Sequence, residues 1–304
     1  MYNDLFSIGS VTIHGYGVMI AVGFAFAIVM SYIRAKAYGL RKNAIIDFGL
    51  LAMIFGFLGA KLLYVIVEYK AFFAHPLSVL GSDGFVVYGG IIGGVVAAMI
   101  YCRIKKISFM SYFDLAIPAV AAAQGFGRLG CYLAGCCYGC ESTFLGVIFP
   151  VGSLAPAGIP LLPTQLISSA GDFLIALVLV LYARKSKIKG NVGVLYLLLY
   201  GVGRFVIEFF RNDVRGGVGV LSTSQFISIL FVLGAVVLFV INAKHAVPAD
   251  LILDKEERAA ADKRNLEEER AFKESKKAGK SGKGAQSPAG NDEKTDNKDE
   301  ETDL

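Results

Sequence analysis

Long apolar runs separated by short polar segments make up the first 243 residues of the chain. A helix that crosses a membrane needs about 20 predominantly apolar residues. The pattern predicts seven such spans, at residues 11–33, 46–69, 85–102, 112–133, 164–183, 191–210 and 220–242. Because a bilayer offers the backbone no hydrogen-bond partners, we predict an all-α integral membrane protein with seven transmembrane helices.

The pattern changes after residue 243. Residues 1–243 carry 17 Lys and Arg against 9 Asp and Glu, whereas residues 244–304 carry 13 against 16. Segment 250–277 mixes both signs at helical spacing, and the remainder is too polar to bury a core. We therefore predict a membrane domain at residues 1–243 and a charged cytoplasmic tail at residues 244–304. The tail should be partly helical, disordered after about residue 280, and without a catalytic part.

The loops between the predicted spans differ in basic charge. Eleven Lys and Arg residues fall in the first, third and fifth loops, whereas the N-terminus and the other loops hold three. Since basic loops remain on the cytoplasmic side, the N-terminus is predicted outside and the tail inside. An odd number of spans requires the same arrangement of the termini.

The amino-acid composition agrees with a membrane location, and only a few charged residues fall inside the predicted spans. Hydrophobic residues make up 55% of the chain and charged residues 18%, which excludes an ordinary soluble domain. Arg128, Arg204 and Glu208 nevertheless fall inside predicted spans. A charge there costs about 2.5–3.5 kcal/mol on insertion scales and usually marks a functional site. A guanidinium pairs with phosphate oxygens two at a time, so these residues predict a site for a phospholipid head group.

Glu208 follows Arg204 by four residues and so shares its helical face. The pair could be structural, allowing the arginine to enter the membrane. Alternatively, the carboxylate could hold the guanidinium in position for a phosphate. The two interpretations are compatible.

Other polar side chains are predicted to lie at the outer ends of the spans. His14 and Tyr16 open the first span, Tyr64 lies far along the second, Tyr88 opens the third and Gln165 opens the fifth. Together with the arginines they predict a polar cavity that faces the outer leaflet.

The glycines of YGGIIGG at residues 88–94 allow two interpretations. Gly89 and Gly90 could let the backbone approach a ligand closely. They could instead serve close helix packing, which is a common use of small residues at four-residue spacing in membrane helices.

Several motifs, in order along residues 11–242, resemble one known family. They are HGYGVMIAVGF (14–24), GAKLLYV (59–65), YGGIIGG (88–94), DLAIP (114–118), GRLGCYLAGCCYG (127–139), PTQL (163–166) and YGVGRFVIEFFRND (200–213). The chain resembles the prolipoprotein diacylglyceryl transferases, membrane enzymes that lipidate bacterial lipoprotein precursors. The resemblance implies a seven-span fold in the bacterial plasma membrane, with a site open to the outer leaflet.

The resemblance also implies a reaction. The family moves the diacylglyceryl group of phosphatidylglycerol to the thiol of the lipobox cysteine in a prolipoprotein signal peptide, and releases glycerol phosphate. Arg128 and Arg204 match the essential arginines of the family, and Tyr16, Gly139, Tyr200 and Glu208 match other family positions. The implied partners are therefore phosphatidylglycerol, prolipoprotein signal peptides and membrane lipid; we expect no nucleic acid and no cofactor.

The residues expected to activate the acceptor thiol differ from those that the family usually has. Tyr88 stands where the family usually has histidine, Cys131 where it has asparagine, and Cys136 where it has glutamate. Leu162 also replaces a histidine. Phenol is a poor base because its pKa lies near 10, so the usual base is missing.

Four of the five cysteines form the pattern C-x4-C-C-x2-C, at residues 131, 136, 137 and 140. They could form disulfides, bind zinc, or act as small fillers or a lone thiol. The adjacent pair is unusual spacing for zinc, and sequence does not set connectivity. The filler interpretation is favoured and no metal is expected, with a thiol role for Cys131 or Cys136 left open.

We therefore predict diacylglyceryl transfer to prolipoproteins. The alternatives are a related lipid transferase with a different acceptor, and a phospholipid-binding or transport protein without turnover. The predicted catalytic residues are Arg128, Arg204, Glu208, Tyr16 and Tyr88, and the predicted substrate-binding residues are His14, Tyr64, Gly89, Gly90, Gly139, Gln165 and Tyr200.

Overall fold

A computed structural model describes residues 4–8, 11–82, 84–213, 216–249 and 255–283 of the chain. The described residues are mostly helical. The α-helices are α1 (Gly15–Ala35), α2 (Lys42–Val67), α3 (Tyr69–Ala74), α4 (Pro76–Gly81), α5 (Val87–Lys105), α6 (Phe109–Ala134), α7 (Thr164–Ala183), α8 (Asn191–Ile207), α9 (Thr223–Lys244) and α10 (Lys255–Lys283).

Six of the described helices are long and apolar enough to cross a membrane: α1, α2, α5, α7, α8 and α9. Their outward faces carry exposed Leu, Ile, Val and Phe side chains, as expected of surfaces that meet lipid. An all-α membrane protein is therefore the class that fits this structure.

Helix α6, predicted as the fourth span, does not belong to these six. It has 26 residues, but glycines and polar side chains lower its hydropathy. It packs against α1, α7 and α8, and Asp114, Leu115, Ala121 and Gly125 are among its many buried residues. Its composition is therefore that of a helix in contact with protein rather than lipid.

The carboxylate of Asp114 in α6 fixes the start of α8. It accepts hydrogen bonds from the backbone amides of Gly190, at 2.5 Å, and Gly193, at 3.1 Å. Free amides and a partial positive charge collect at a helix N-terminus, so a buried carboxylate is well placed there.

Helices α2 and α5 approach each other closely at their glycines. A Cβ atom added to Gly89 would lie 2.2 Å from the carbonyl oxygen of Gly59, so only glycine allows this approach. The glycines of YGGIIGG thus serve helix packing in this structure.

Short two-stranded sheets lie between the helices. They pair β1 (Asp4–Ile8) with β2 (Val11–His14), β3 (Val147–Ile148) with β4 (Pro160–Leu161), and β5 (Gly217–Val218) with β6 (Leu221–Ser222), all antiparallel. The predicted start of the first span at residue 11 was wrong. Residues 11–14 pair with β1 instead, and the helix begins at Gly15.

The tail helix α10 lies against the turn between α1 and α2. Asp262 is near the ammonium groups of Lys36, at 3.4 Å, and Lys42, at 3.8 Å, and Glu268 pairs with Arg41. Helix α10 overlaps the segment 250–277 that was predicted from its helical charge spacing, while residues 284–304, predicted to be disordered, lie outside the described part of the chain.

Candidate active site

One large cavity opens between the helices. Its volume is about 830 Å³, within the usual range for ligand pockets. Aromatic and aliphatic side chains of α1, α2, α5, α6, α8 and α9 form most of the wall. Polar groups gather towards the end of the bundle where α6 and α8 finish and where α1, α5 and α9 begin. The cavity therefore combines a long apolar part with one charged end.

Arg128, near the end of α6, and Arg204, near the end of α8, both line that charged end. Their guanidinium groups lie near enough to interact electrostatically. Two neighbouring buried cations repel each other, so an anion between them is favoured.

Two side chains contact the guanidinium group of Arg204. Its Nη2 donates to Ser224 Oγ, at 2.9 Å, and lies 3.2 Å from Glu208 Oε2. Its Nη1 is buried and has no hydrogen-bond partner among the described residues. A buried donor without a partner costs about 1–3 kcal/mol, more for a charged group. This nitrogen therefore offers a donor to a ligand.

Glu208 lies behind Arg204 and outside the cavity wall. Its side chain is only 3% exposed, and its Oε1 accepts a hydrogen bond from Ser222 Oγ at 2.7 Å. Arg211 Nη1 lies 3.8 Å from Oε2, so one carboxylate faces two guanidinium groups. Glu208 thus balances the positive charge and orients Arg204.

Asp172 of α7 is a second buried carboxylate near the arginines. It interacts electrostatically with both Arg128 and Arg204. Its Oδ2 is buried and accepts no hydrogen bond from the described residues. Sequence analysis did not single it out, although it is the only acidic residue in the predicted span 164–183 and the same reasoning that found the arginines applies to it.

The segment after α6, residues 135–141, is called the cysteine loop here. Gly135 and Cys137 have left-handed backbone angles, with φ of 73° and 64°. Two side chains at the start of α7 hold the loop: Thr164 Oγ1 donates to the Cys137 carbonyl and Gln165 Nε2 donates to the Cys136 carbonyl, both at 2.7 Å. The loop is thereby fixed against α7.

This loop conformation brings three thiols together. The sulfur atoms of Cys131, Cys136 and Cys137 all lie within 4.8 Å of one another, and none is in a disulfide. The neighbouring thiols of Cys131 and Cys136 lower the pKa of the Cys137 thiol, and the positive charge of Arg211 acts in the same direction. Cys140 is exposed and is not part of the group.

The structure brings about half of the predicted site residues to the cavity. Those that line it are Tyr16, Tyr88, Arg128, Cys131, Tyr200 and Arg204. The other predicted residues lie outside the cavity wall and make different contacts.

His14 lies on the hairpin, where its Nδ1 is 2.7 Å from Asp4 Oδ1. The ring of Tyr64 lies against Gly84. Gly89 and Gly90 pack against α2.

Gly139 and Gln165 support the cysteine loop. A Cβ on Gly139 would lie 2.8 Å from the carbonyl oxygens of Leu162 and Phe210, so the loop packs tightly there. Gln165 is 1% exposed and its amide bonds the loop, not the cavity.

Ser222 and Ser224 had no signal in the sequence. Both lie at the start of α9, and they contact Glu208 and Arg204 only because α8 and α9 pack side by side.

Comparison with known proteins finds relatives of this chain. The family model described as "Prolipoprotein diacylglyceryl transferase" matches residues 3–241. Phosphatidylglycerol–prolipoprotein diacylglyceryl transferase 2 of Clostridium perfringens (strain 13 / Type A) is 45% identical over 76% of this chain and 91% of its own length. The phosphatidylglycerol–prolipoprotein diacylglyceryl transferase of Clostridium tetani is also 45% identical, over 78% of this chain and 96% of its own length.

A more distant relative, the phosphatidylglycerol–prolipoprotein diacylglyceryl transferase of Finegoldia magna, is 31% identical over 81% of this chain and 97% of its own length. The match to the family model ends at residue 241 and so does not include the charged C-terminal segment. The resemblance seen in the motifs is confirmed, and the chain belongs to the prolipoprotein diacylglyceryl transferase family.

Proposed function

We propose that this protein transfers the diacylglyceryl group of phosphatidylglycerol to the cysteine thiol of prolipoprotein signal peptides, in the bacterial plasma membrane. The names of its relatives describe this activity. One observation of the structure supports it above the others. Arg204 presents a buried guanidinium nitrogen without a hydrogen-bond partner among the described residues, beside Arg128 and at the end of an apolar cavity.

The cavity suits the two parts of a phospholipid. Its apolar wall, with Phe24, Ile28, Phe48 and Phe113, matches acyl chains. The two guanidinium groups match the phosphate, which accepts charge-assisted hydrogen bonds from them. Phospholipid would thus bind with its phosphate at the charged end.

The same groups assist the reaction. The acceptor sulfur attacks the glyceryl carbon that carries the phosphate, a carbon–sulfur bond forms, and the carbon–oxygen bond breaks with its electron pair staying on the phosphate. The departing glycerol phosphate gains negative charge, which Arg128 and Arg204 are placed to stabilise. Glu208 acts through Arg204 as a positioning residue.

Our proposed topology has seven spans, with α6 as the fourth, the N-terminus outside and the tail in the cytoplasm. The length of α6, 26 residues, and its packing against α1, α7 and α8 support its place in the membrane. The basic loops support the orientation, because such loops remain on the cytoplasmic side; the charged end of the cavity would then face the outer leaflet.

Replacement of Arg204 tests the function. Full-length protein is supplied with labelled phosphatidylglycerol and a lipobox peptide, and the lipidated peptide is measured. We expect Arg204→Ala to lower transfer by about 100-fold or more, the cost of removing one donor to a developing oxyanion. Arg204→Lys should recover part of it, because lysine keeps the charge but loses the planar fork. Arg184→Ala, an exposed arginine at the other end of the bundle, is the matched control.

Three outcomes separate the candidate functions. Lipidated peptide from the unaltered chain supports the proposal. Released head group without lipidated peptide would indicate a different acceptor. Bound phospholipid without either product would indicate a binding or transport protein.

A further inference from the structure

We propose that Cys131, Cys136 and Cys137 form a zinc site, and that its open coordination position takes the acceptor thiol. The second half of this proposal rests on the proposed function, whereas the metal site itself does not.

The spacing of the three sulfur atoms suits a metal ion. They lie within 4.8 Å of one another. Tetrahedral zinc with zinc–sulfur bonds of about 2.3 Å separates its ligand atoms by about 3.8 Å. Side-chain rotations that shorten the separations by about 1 Å or less would complete the site.

The backbone is shaped to bring these thiols together. Cys137 adopts a left-handed conformation, φ 64°, which costs a residue other than glycine about 1–2 kcal/mol. In extended backbone, consecutive side chains point to opposite sides. Here the thiols of consecutive residues 136 and 137 both lie beside Cys131. Thr164 and Gln165, both 1% exposed, hold the carbonyl groups of these two residues.

The charges around the cluster suit the metal-bound form. Three thiolates and one Zn²⁺ carry a net charge of −1. Arg128 and Arg211 both interact electrostatically with Cys137, so they can balance that charge. Thiolate ligands select soft or borderline metals such as zinc over magnesium or calcium.

Three protein ligands with a fourth position open is the usual arrangement of a catalytic zinc site. Cys131 belongs both to the thiol cluster and to the cavity wall, so the proposed metal site adjoins the cavity where the phospholipid would bind. A thiol that binds the metal loses its proton, and the thiolate is the nucleophile.

The transfer at this site accounts for the thiol proton, the new bond and the leaving group. The acceptor thiol releases its proton to solvent on binding, its sulfur forms the bond to the glyceryl carbon, and glycerol phosphate leaves with the electron pair of the carbon–oxygen bond. The thioether formed is a weaker ligand than the thiolate, which favours release of the product. The site would therefore replace the histidine base that the family usually has at position 88.

Metal binding is tested without reference to activity. Full-length protein, purified in detergent under reducing conditions, is titrated with Zn²⁺ and separately with Co²⁺. We expect stoichiometric zinc and thiolate-to-cobalt charge-transfer absorption in the unaltered chain. Cys136→Ser and Cys137→Ser should weaken zinc binding by at least about 100-fold, the upper end of the effect of losing an outer-shell partner. Cys140→Ser, which changes an exposed cysteine of the same loop, should not.

Failure of the unaltered chain to bind zinc, or no thiolate absorption with cobalt, would overturn the site even if the serine variants fail to fold. Equal loss of zinc in Cys140→Ser would overturn the choice of ligands. A disulfide among the three, found by counting free thiols before reduction and persisting in active protein, would also overturn it.

The role of the metal is tested by removing it. Chelated protein should transfer at least about 100-fold more slowly, a typical contribution of proton removal, and added zinc should restore the rate. Undiminished transfer without zinc would overturn the acceptor role and leave the proposed function intact. If zinc binds but neither the zinc-loaded nor the chelated protein transfers the lipid, the acceptor role and the proposed function would both be overturned. The metal site itself would stand.

Discussion

Glu208 is the residue on which the charge balance at one end of the cavity depends. Its carboxylate lies 3.2 Å from Arg204 and 3.8 Å from Arg211, with the glutamate side chain 3% exposed. Buried charges are stable only when paired, and removing one partner leaves the others uncompensated. Because Arg204 also faces Arg128, loss of this carboxylate affects both the stability and the geometry of the site.

We expect Glu208→Gln to lower the free energy of unfolding by about 3 kcal/mol and to reduce transfer strongly. The variant keeps the side-chain volume and one acceptor but removes the countercharge. Thermal unfolding in detergent and the transfer rate at equal protein concentration measure the two effects.

Asp213→Asn is the control, because Asp213 pairs with Arg211 at 2.9 Å but does not approach the cavity. Unchanged stability and transfer in Glu208→Gln would show that the carboxylate neither balances nor orients Arg204.

Single residues were predictable from the sequence where their chemistry conflicts with their surroundings. Arg128 and Arg204 are charges inside apolar runs, and both line the cavity. Asp172 gives the same signal. His14 and Gln165 were placed at the correct end of their helices, but sequence does not tell where a side chain points, and theirs bond Asp4 and the cysteine loop.

At the scale of elements, α2 and α5 depend on glycine at their contact. The backbone of Gly59 approaches Gly89 so closely that a Cβ added to Gly89 would lie 2.2 Å from the carbonyl oxygen of Gly59. Two rigid backbones meet here, so no flexible side chain can yield.

We expect Gly89→Ala to lower the free energy of unfolding by about 1–3 kcal/mol, because the two helices must separate. Gly94→Ala in the same helix is the control. Its added Cβ would lie 3.9 Å from Ala52, an ordinary contact, so the exchange should be neutral or slightly stabilising. Thermal unfolding of the two variants compares them directly, and equal unfolding temperatures would contradict close packing at Gly89.

The contacts of α10 include ion pairs at the surface, each of which stabilises by about 1 kcal/mol or less, and a hydrogen bond from Asn265 Nδ2 to the Gly39 carbonyl. We expect a chain that ends at Ala249 to retain most of its transfer activity. This end point keeps the hydrogen bonds of Val247 and Ala249 to the loop at residues 187–189. Raising the salt concentration should reduce any difference from the full chain, because salt screens exposed pairs. An inserted but inactive truncation would mean that the tail contributes to catalysis.

The helices were predictable because apolar runs of spanning length have few other stable structures. The hairpin of β1 and β2 was not, because its strands are short, and its apolar residues Val11 and Ile13 extend the apolar run of α1. Helix α6 was predicted as a span from its length, yet its composition reflects contact with other helices. Hydropathy identifies spans that face lipid more readily than spans that other helices enclose.

For the whole molecule, orientation decides which leaflet the charged end of the cavity faces. Val151 lies in the segment between α6 and α7 and is 91% exposed, whereas Lys187 lies in the basic loop between α7 and α8. Introduced into a chain carrying Cys140→Ser, Val151→Cys should react with an impermeant thiol reagent in intact cells, and Lys187→Cys should react only after lysis. The reverse pattern would place the site on the cytoplasmic side.

The position of α6 among α1, α7 and α8 also has a consequence for synthesis of the protein. This segment leaves the ribosome before α7 and α8 exist, with Asp114, Gln124 and Arg128 among its apolar residues. Its own hydropathy is below that of the six apolar helices, so the insertion machinery should retain it poorly when it is presented alone. Stable integration would then wait until α7 and α8 follow and Asp114 meets the first amides of α8. A nascent chain arrested before α7 should therefore show incomplete integration of α6, and chain elongation should complete it.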